Sequence, residues 1–168
     1  MPSQTSHPSR PARARIRPYR PADARALTAL IRALADYEEL PRPAPAAARR
    51  LLADVGRRIH VLIAERDGAP VGYAIYLFTY SSFLARPTLY LEDVFVLPEH
   101  RRAGIGQLFF GALRAAARRA RCGRMEWVVL DWNRPAHRFY RKLGARPLEG
   151  WVTYRMGLER QRTRRGRT

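Results

Sequence analysis

One stretch near the middle of the chain constrains the fold more than any other. It begins with an apolar segment, Leu89–Leu97, which is typical of a β-strand, and Pro98 ends the strand pairing. After a short basic loop, apolar residues recur at the i, i+3, i+4 and i+7 spacing of an amphipathic helix. They are Ile105, Leu108, Phe109, Ala112, Leu113 and Ala116. The sequence therefore predicts a strand, a glycine-bearing turn and a helix N-terminus, in that order.

The turn has the composition of an anion-binding loop. The first amides of a helix have no partner within the helix, and the helix dipole places partial positive charge there. Gly104 and Gly106 lack the Cβ atoms that would keep a phosphate from those amides, while Arg101 and Arg102 add charged donors. We interpret the loop as a pyrophosphate-binding turn. Taken alone, it is equally consistent with a tight turn flanked by solvated arginines.

The motif differs from two familiar phosphate loops. A P-loop needs GxxxxGK followed by Ser or Thr, and a dinucleotide fold needs GxGxxG early in a βαβ unit. The sequence here is RRAGIG, of the form R-x-x-G-x-G, and it follows a strand that carries Glu92 and Asp93. This form resembles the acetyl-CoA signature of the GNAT superfamily of N-acetyltransferases. The segments "VGYAIYLFTY", "LYLEDVFV" and "RCGRMEWVVLDWNRPAHRFYRKLGA" resemble its diamine (spermidine/spermine) and thialysine branch. The likeness extends from Ile16 to Met156 and is weakest between Pro41 and Arg58.

The resemblance implies an α/β GNAT fold with a mixed, mostly antiparallel central sheet flanked by helices. It also implies transfer of an acetyl group from acetyl-CoA to an amine by direct attack, in a homodimer and with no metal. The residues implied for acetyl-CoA binding lie in the strand, the turn and a later segment. They are Val94, Phe95, Val96, Arg101, Arg102, Ala103, Gly104, Ile105, Gly106, Gln107, Asn133, Arg134, Pro135 and Ala136.

Acetyl transfer to an amine first requires that the ammonium lose a proton. An amine with a pKa of about 10.4 is neutral only about once in 2,500 molecules at pH 7, a deficit of roughly 4.6 kcal/mol. We expect Glu92 to hold the ammonium and accept its proton, directly or through a water. In a regular strand Asp93 then points into the other layer, unless a bulge intervenes. Salt bridges to neighbouring arginines would be a purely structural use of Glu92.

The other site residues are implied by the resemblance. Tyr140, in "RFYRKLGA", is expected to be the general acid that protonates the leaving thiolate. Tyr37 and Glu38 match a Tyr-Glu pair at the amine site of the polyamine branch, although acids at a helix end are also commonly just solvent-exposed. Glu149, in the short segment between Ala145 and Trp151, is a further candidate for a substrate-facing acid.

Composition limits the other possibilities. The chain has 168 residues and no apolar run long enough to span a membrane, which predicts one domain and no membrane partner. Its N-terminus lacks the apolar core of a secretory signal, so we expect a cytoplasmic protein. Cys122 is the only cysteine, and we expect a structural thiol. We expect a disordered basic arm over residues 1–13, the acetyltransferase domain over 14–158 and a basic tail over 159–168.

The net charge of 32 − 14 = +18 raises a different function class. Half of the excess lies in arginine-rich ends, and such ends bind nucleic acid or acidic surfaces nonspecifically. The alternatives are therefore a protein lysine or N-terminal acetyltransferase and, in another class, an arginine-rich nucleic-acid-binding module. We expect no nucleic-acid partner except a nonspecific one, bound through these tails.

Periodicity and turn residues place the remaining elements. Helices are expected from Asp23 to about Glu39, over Ala46–Val55, and from Asn133 to a stop at Gly144. Strands are expected over Ala14–Tyr19, His60–Glu65, Val71–Tyr80, Arg124–Asp131 and within Ala145–Leu158, with a hairpin turn at Asp67 and Gly68.

Overall fold

The computed structural model describes residues 14–158. The expectations for the basic arm and tail, residues 1–13 and 159–168, lie outside the described residues. The chain divides after Val128 into two compact units, each of which is described by itself.

The first unit is built on one five-stranded sheet. Its strands are β1 (Arg15–Pro18), β2 (His60–Arg66), β3 (Ala69–Ser81), β4 (Arg86–Val96) and β5 (Arg124–Glu126), and they lie in this order across the sheet. The first four pair antiparallel, whereas β5 pairs parallel to β4. This arrangement confirms the predicted mixed, mostly antiparallel sheet.

The turn between β2 and β3 confirms a local prediction. Asp67 and Gly68 have φ angles of 53° and 77°, the left-handed pair that a two-residue hairpin requires.

Three helices belong to the first unit: α1 (Ala24–Tyr37), α2 (Pro45–Asp54) and α3 (Ile105–Arg119). Leu27 and Leu30 of α1 form a buried cluster with side chains of β2, β3 and β4, and α2 packs against the same cluster. Helix α3 contacts β1, β2, β4 and β5 and buries Phe109 and Leu113. Its apolar stripe is rotated from the predicted one, since Phe110 is buried and Leu108 is 45% exposed.

An ion-pair network attaches the first strand to the start of α1. Arg17 binds both carboxylate oxygens of Asp23, at 2.7 and 2.8 Å, and its Nε donates to Glu65 at 2.7 Å. Arg17 holds the pKa of the buried Asp23 carboxyl below its usual value. The network therefore fixes β1, β2 and the N-terminus of α1 relative to one another.

The second unit contains α4 (Arg134–Lys142). Gly144 follows the helix with a φ of 84°, which confirms its predicted role as the helix stop. Two strand predictions are wrong. The strand expected over 124–131 ends at Glu126, and the described residues 145–158 form no strand.

No helix among the described residues is long and apolar enough to cross a membrane. Cys122 is partly buried, and burial raises the pKa of its thiol.

Candidate active site

The predicted glycine turn lies between β4 and α3. Gly104 is the N-cap residue of α3 with a φ of 78°, and no side chain caps the helix there. A Cβ atom built on Gly104 would meet no atom within 4 Å, so the space in front of the helix is open. Left-handed backbone favours glycine at this position, and uncapped first-turn amides bind phosphate oxygens well. The turn therefore fits the pyrophosphate of acetyl-CoA.

Strand β4 is only partly paired on its β5 side. β5 pairs with Thr88–Tyr90, and none of the strands in residues 14–158 pairs with this edge of β4 beyond Tyr90. The rest of this edge, called the open edge below, has no strand partner among the described residues.

Alternation along β4 decides which amides face that open edge. The N–H of Leu97 donates to the Val71 carbonyl at 3.0 Å, so residues two apart from Leu97 also direct their backbone groups toward β3. Phe95 is one of these, and its ring is buried in the core. Val94 and Val96 instead direct their N–H groups to the open edge. Among the described residues, these two amides therefore point away from β3.

Arg101 contacts the aromatic side chains at the end of α1 and on β4. Its Nε donates to the Val96 carbonyl at 2.9 Å. Its guanidinium carbon lies 4.4 Å from the centre of the Tyr37 ring and 5.4 Å from that of Phe95. Arg101, predicted as a cofactor ligand, thus also joins the glycine turn to α1.

Asp93 lies close enough to Glu92 and Glu38 to be influenced by the charge of each. Glu38 follows α1 directly, and burial raises its pKa. Asp93 on β4 is partly buried, and burial, followed by the charges of Glu92 and Glu38, raises its pKa to about 6. The hydroxyl of the buried Tyr73 donates to Asp93 Oδ2 at 3.2 Å and opposes that rise. The structure therefore brings the predicted residues Glu38 and Glu92 into one acidic cluster.

Like Glu39, Glu99, Asp131 and Glu149, the three acids of this cluster form no ion pair among the described residues. Six acids in the described residues form ion pairs with arginine: Asp23, Asp36, Asp54, Glu65, Asp67 and Glu126. Within the same residues, Glu38, Glu92 and Asp93 form no ion pair with arginine, lysine or histidine. Arginine salt bridges, the purely structural use considered for Glu92, do not account for it.

The second unit holds the remaining predicted site residues. Asn133 is the N-cap of α4, and its side-chain oxygen accepts from the Ala136 N–H at 3.2 Å. Tyr140 lies on α4, with its ring centre 5.6 Å from that of Phe139. Glu149 is exposed in the irregular segment that follows. In the described part of this unit, the site residues are therefore carried by one capped helix and one irregular segment.

Sequence reasoning named neither Tyr73 nor Asp93 as a site residue. Their partnership depends on a β-bulge in β4: Asp93 pairs with Ile75 and Leu91 pairs with Tyr76, so Glu92 is an extra residue. The adjacent acids in "LYLEDVFV" were the signal in the sequence, but periodicity does not locate a bulge.

Comparison with known proteins agrees with this geometry. Residues 27–145 match the family model described as Acetyltransferase (GNAT) family. The chain is 36% identical over 170 residues to the thialysine N-epsilon-acetyltransferase of Mus musculus, covering 93% of this chain and 99% of that protein. It is 31% identical to the enzyme of the same name from Caenorhabditis elegans, covering 81% of this chain and 87% of that protein. It is also 37% identical over 90 residues to an L-ornithine N5-acetyltransferase of Arabidopsis thaliana, covering 54% of this chain and 40% of that protein.

Solved structures show the same fold. A probable acetyltransferase superposes with a TM-score of 0.76 at 18% identity, covering 86% of this chain and 98% of its own. The aminoglycoside N-acetyltransferase AAC(6')-Iy in complex with CoA gives 0.75 at 21% identity, covering 89% and 99%.

The chain therefore belongs to the GNAT acetyltransferase family, and the predicted fold class is confirmed. It is an acetyl-CoA-dependent N-acetyltransferase that transfers the acetyl group to an amine.

Proposed function

We propose that the amine is a small substrate with two positive charges: a diamine, a polyamine or a thialysine-like amine. The observation that carries this proposal is the acidic cluster of Glu38, Glu92 and Asp93, which has no described arginine partner in a chain of net charge +18. Buried or half-buried carboxylates without a cation are costly to keep ionised, and a cationic substrate offsets that cost.

Glu92 receives the reacting ammonium in this proposal. Its exposed position at the bulge makes it accessible, and Tyr90 and Asp93 both sense its charge. It accepts the ammonium proton directly or through a water, which meets part of the roughly 4.6 kcal/mol needed to make the amine neutral at pH 7.

Glu38, beside Tyr37, binds the second ammonium and so selects substrates by the distance between their two ammonium groups. Glu38 is partly buried at the end of α1, where it also raises the pKa of Asp93. A partly buried, hydrogen-bonded ion pair is worth about 2 to 3 kcal/mol, whereas an exposed one is worth about 0 to 1. A preference of roughly 30- to 150-fold over a monoamine follows. Glu149 is a second, weaker candidate for this role.

Acetyl-CoA supplies the acetyl group as a thioester, and coenzyme A leaves as a thiol. The amides of Val94 and Val96 hold the pantetheine arm. Phe95 lies between them, and its buried ring packs in the core. The turn from Arg101 to Gln107 holds the pyrophosphate, and Asn133–Ala136 binds more of the cofactor. Tyr140 gives a proton to the leaving thiolate; because its ordinary pKa of about 10 exceeds that of a thiol, about 8.5, transfer completes late in the reaction.

The names of the relatives support the substrate class. Thialysine and L-ornithine, which appear in those names, each carry a second amino group besides the one that is acetylated. From the family resemblance we also propose a homodimer that works in the cytoplasm, and a single acetyltransferase domain over residues 14–158.

The test compares two neighbouring acids. Glu38→Gln should raise KM for a diamine roughly 30-fold or more, and leave turnover of a monoamine of equal length unchanged. Glu39→Gln is the matched control, because Glu39 is exposed and adjacent, and it should change neither value.

Two results would contradict the proposal. One is an equal effect of Glu38→Gln on diamine and monoamine. The other is acetylation of protein lysines or N-termini at a higher kcat/KM than any small diamine, since a macromolecular substrate needs an open groove rather than a cluster of acids.

A further inference from the structure

Asp93 is placed by the bulge in β4. In a regular strand Glu92 and Asp93 would point to opposite faces of the sheet. The register instead skips Glu92 and pairs Asp93 with Ile75, a member of the buried cluster that includes Leu27 and Leu30 of α1. Asp93 therefore lies on the α1 side of the sheet, which is also the side of Glu38.

One oxygen of Asp93 is held and the other is accessible. The Tyr73 hydroxyl donates to Oδ2 at 3.2 Å, and Tyr73 is fully buried. Oδ1 accepts no hydrogen bond from residues 14–158, yet it is not sealed off. Within those residues, only Thr88 Oγ1 is a fully enclosed side-chain polar atom without a partner. The carboxyl group is thus hydrogen-bonded through one oxygen, and its other oxygen is not fully enclosed.

The ionisable groups around Asp93 come from three elements. Those that shift its pKa most are acidic or neutral. Tyr73 lies on β3, Glu38 follows α1, and Glu92 precedes Asp93 on β4. Arg101 stacks on Tyr37 and Phe95 and bonds the Val96 carbonyl, and it is not among the groups that shift the pKa of Asp93. Burial and these negative charges raise the pKa of Asp93 to about 6, whereas the Tyr73 hydrogen bond lowers it. The group therefore exchanges its proton close to physiological pH.

We propose that Asp93 is a second proton-accepting carboxylate of the amine site, which shares with Glu92 the deprotonation of the reacting ammonium. The inference rests on the proposed function. One N–H bond of the ammonium breaks, and its proton forms an O–H bond with Oδ1 of Asp93. The freed nitrogen lone pair then attacks the thioester carbonyl. The nitrogen's second proton leaves with the thiol, and Asp93 returns its own proton to solvent, so each turnover releases one proton.

The first experiment follows titration in the free protein. Carbon NMR of aspartate-labelled wild type should show one carboxyl that titrates near pH 6, and Asp93→Asn should remove that signal. Tyr73→Phe should move the titration to higher pH, because the hydroxyl that favours the ionised form is lost. Unchanged titration in Tyr73→Phe would overturn the geometry on which the proposal depends.

The second experiment varies the basicity of the amine. Asp93→Asn should lower kcat roughly 10²- to 10⁴-fold for an amine with a pKa of about 10. The loss should shrink to less than about tenfold for a fluorinated analogue with a pKa of about 7, which is largely neutral before it binds. If Asp93 had a purely structural role, Asp93→Asn would lower kcat equally for both amines, and that result would overturn the proposal.

The outcomes separate this inference from the proposed function. If the wild type acetylates no small diamine, the proposed function fails. If the wild type acetylates diamines, the role of Asp93 alone is tested by the Asp93→Asn variant. That role fails if kcat/KM of the variant falls on the acidic side of its pH profile as in the wild type, and if its kcat depends on amine pKa as in the wild type.

Discussion

The guanidinium of Arg101 lies 4.4 Å from the centre of the Tyr37 ring, so one side chain joins the glycine turn to the end of α1. The Nε–H of Arg101 also holds the Val96 carbonyl on the open edge of β4 at 2.9 Å. The residues proposed for acetyl-CoA and those proposed for the amine are thus in contact through one cation.

Arg101→Lys tests this connection. Lysine keeps the charge but loses the planar stacking group and the Nε–H donor, which together are worth about 1 to 2 kcal/mol. We expect KM for the amine to rise roughly 5- to 30-fold, together with weaker acetyl-CoA binding. Arg102→Lys is the control, because the structure describes no contact between Arg102 and Tyr37, and it should leave the amine KM unchanged. Equal amine KM values in the two variants would disprove the connection.

Gly104→Val should weaken acetyl-CoA binding about tenfold or more. The φ of 78° at Gly104 costs an L-residue about 1 to 2 kcal/mol, and the branched side chain fills the open space before α3. Calorimetry measures the dissociation constant. Gly111→Ala is the matched control on the exposed face of α3, where an added Cβ meets nothing within 4 Å. A folded Gly104→Val variant with wild-type affinity would remove the phosphate role of the turn.

Tyr140→Phe should lower kcat by about 10² to 10⁴ while acetyl-CoA affinity stays nearly constant, because only the proton-donating hydroxyl is lost. Tyr154→Phe removes the hydroxyl of a tyrosine that is 91% exposed in the same unit, and it should have no effect. Single-turnover kinetics separate the chemical step from product release. Wild-type turnover in Tyr140→Phe would mean that the thiolate leaves without its help.

Asp93→Asn should stabilise the protein at neutral pH. The pKa of Asp93 is raised from 3.8 to about 6, so its ionised form opposes folding above pH 6, by at most about 3 kcal/mol. The gain in free energy of unfolding should shrink as pH falls from 6, and vanish below 4, where Asp93 is protonated in both states. Urea unfolding at pH 8 and pH 4 measures this difference, with Glu39→Gln as control, because Glu39 is exposed and is not among the groups that shift the pKa of Asp93. An equal gain at both pH values would show that the charge of Asp93 is not its cause.

The sequence predicted the local parts of this fold. Gly68 and Gly144 each adopt the left-handed backbone expected from a turn or helix stop, and the order of strand, turn and helix around Gly104 is correct. These features depend on neighbours in sequence, so composition and spacing are sufficient to find them.

Features that depend on distant partners were missed. A last strand was expected within Ala145–Leu158, but a strand forms only with a partner, and the described residues 145–158 form none. The bulge at Glu92 is set by the register of β4 against β3, so the bond between Tyr73 and Asp93 was invisible in the sequence. Tyr140 and the acetyl-CoA residues outside the glycine turn were named through family resemblance, not through spacing.

The most direct test measures kcat/KM of the wild type for diamines and for monoamines of equal length, with acetyl-CoA, by following thiol release. The acidic cluster of Glu38, Glu92 and Asp93 predicts that diamines or thialysine-like amines are preferred by roughly 30- to 150-fold. Equal kcat/KM values for diamine and monoamine would contradict the dicationic substrate and leave only an amine acetyltransferase.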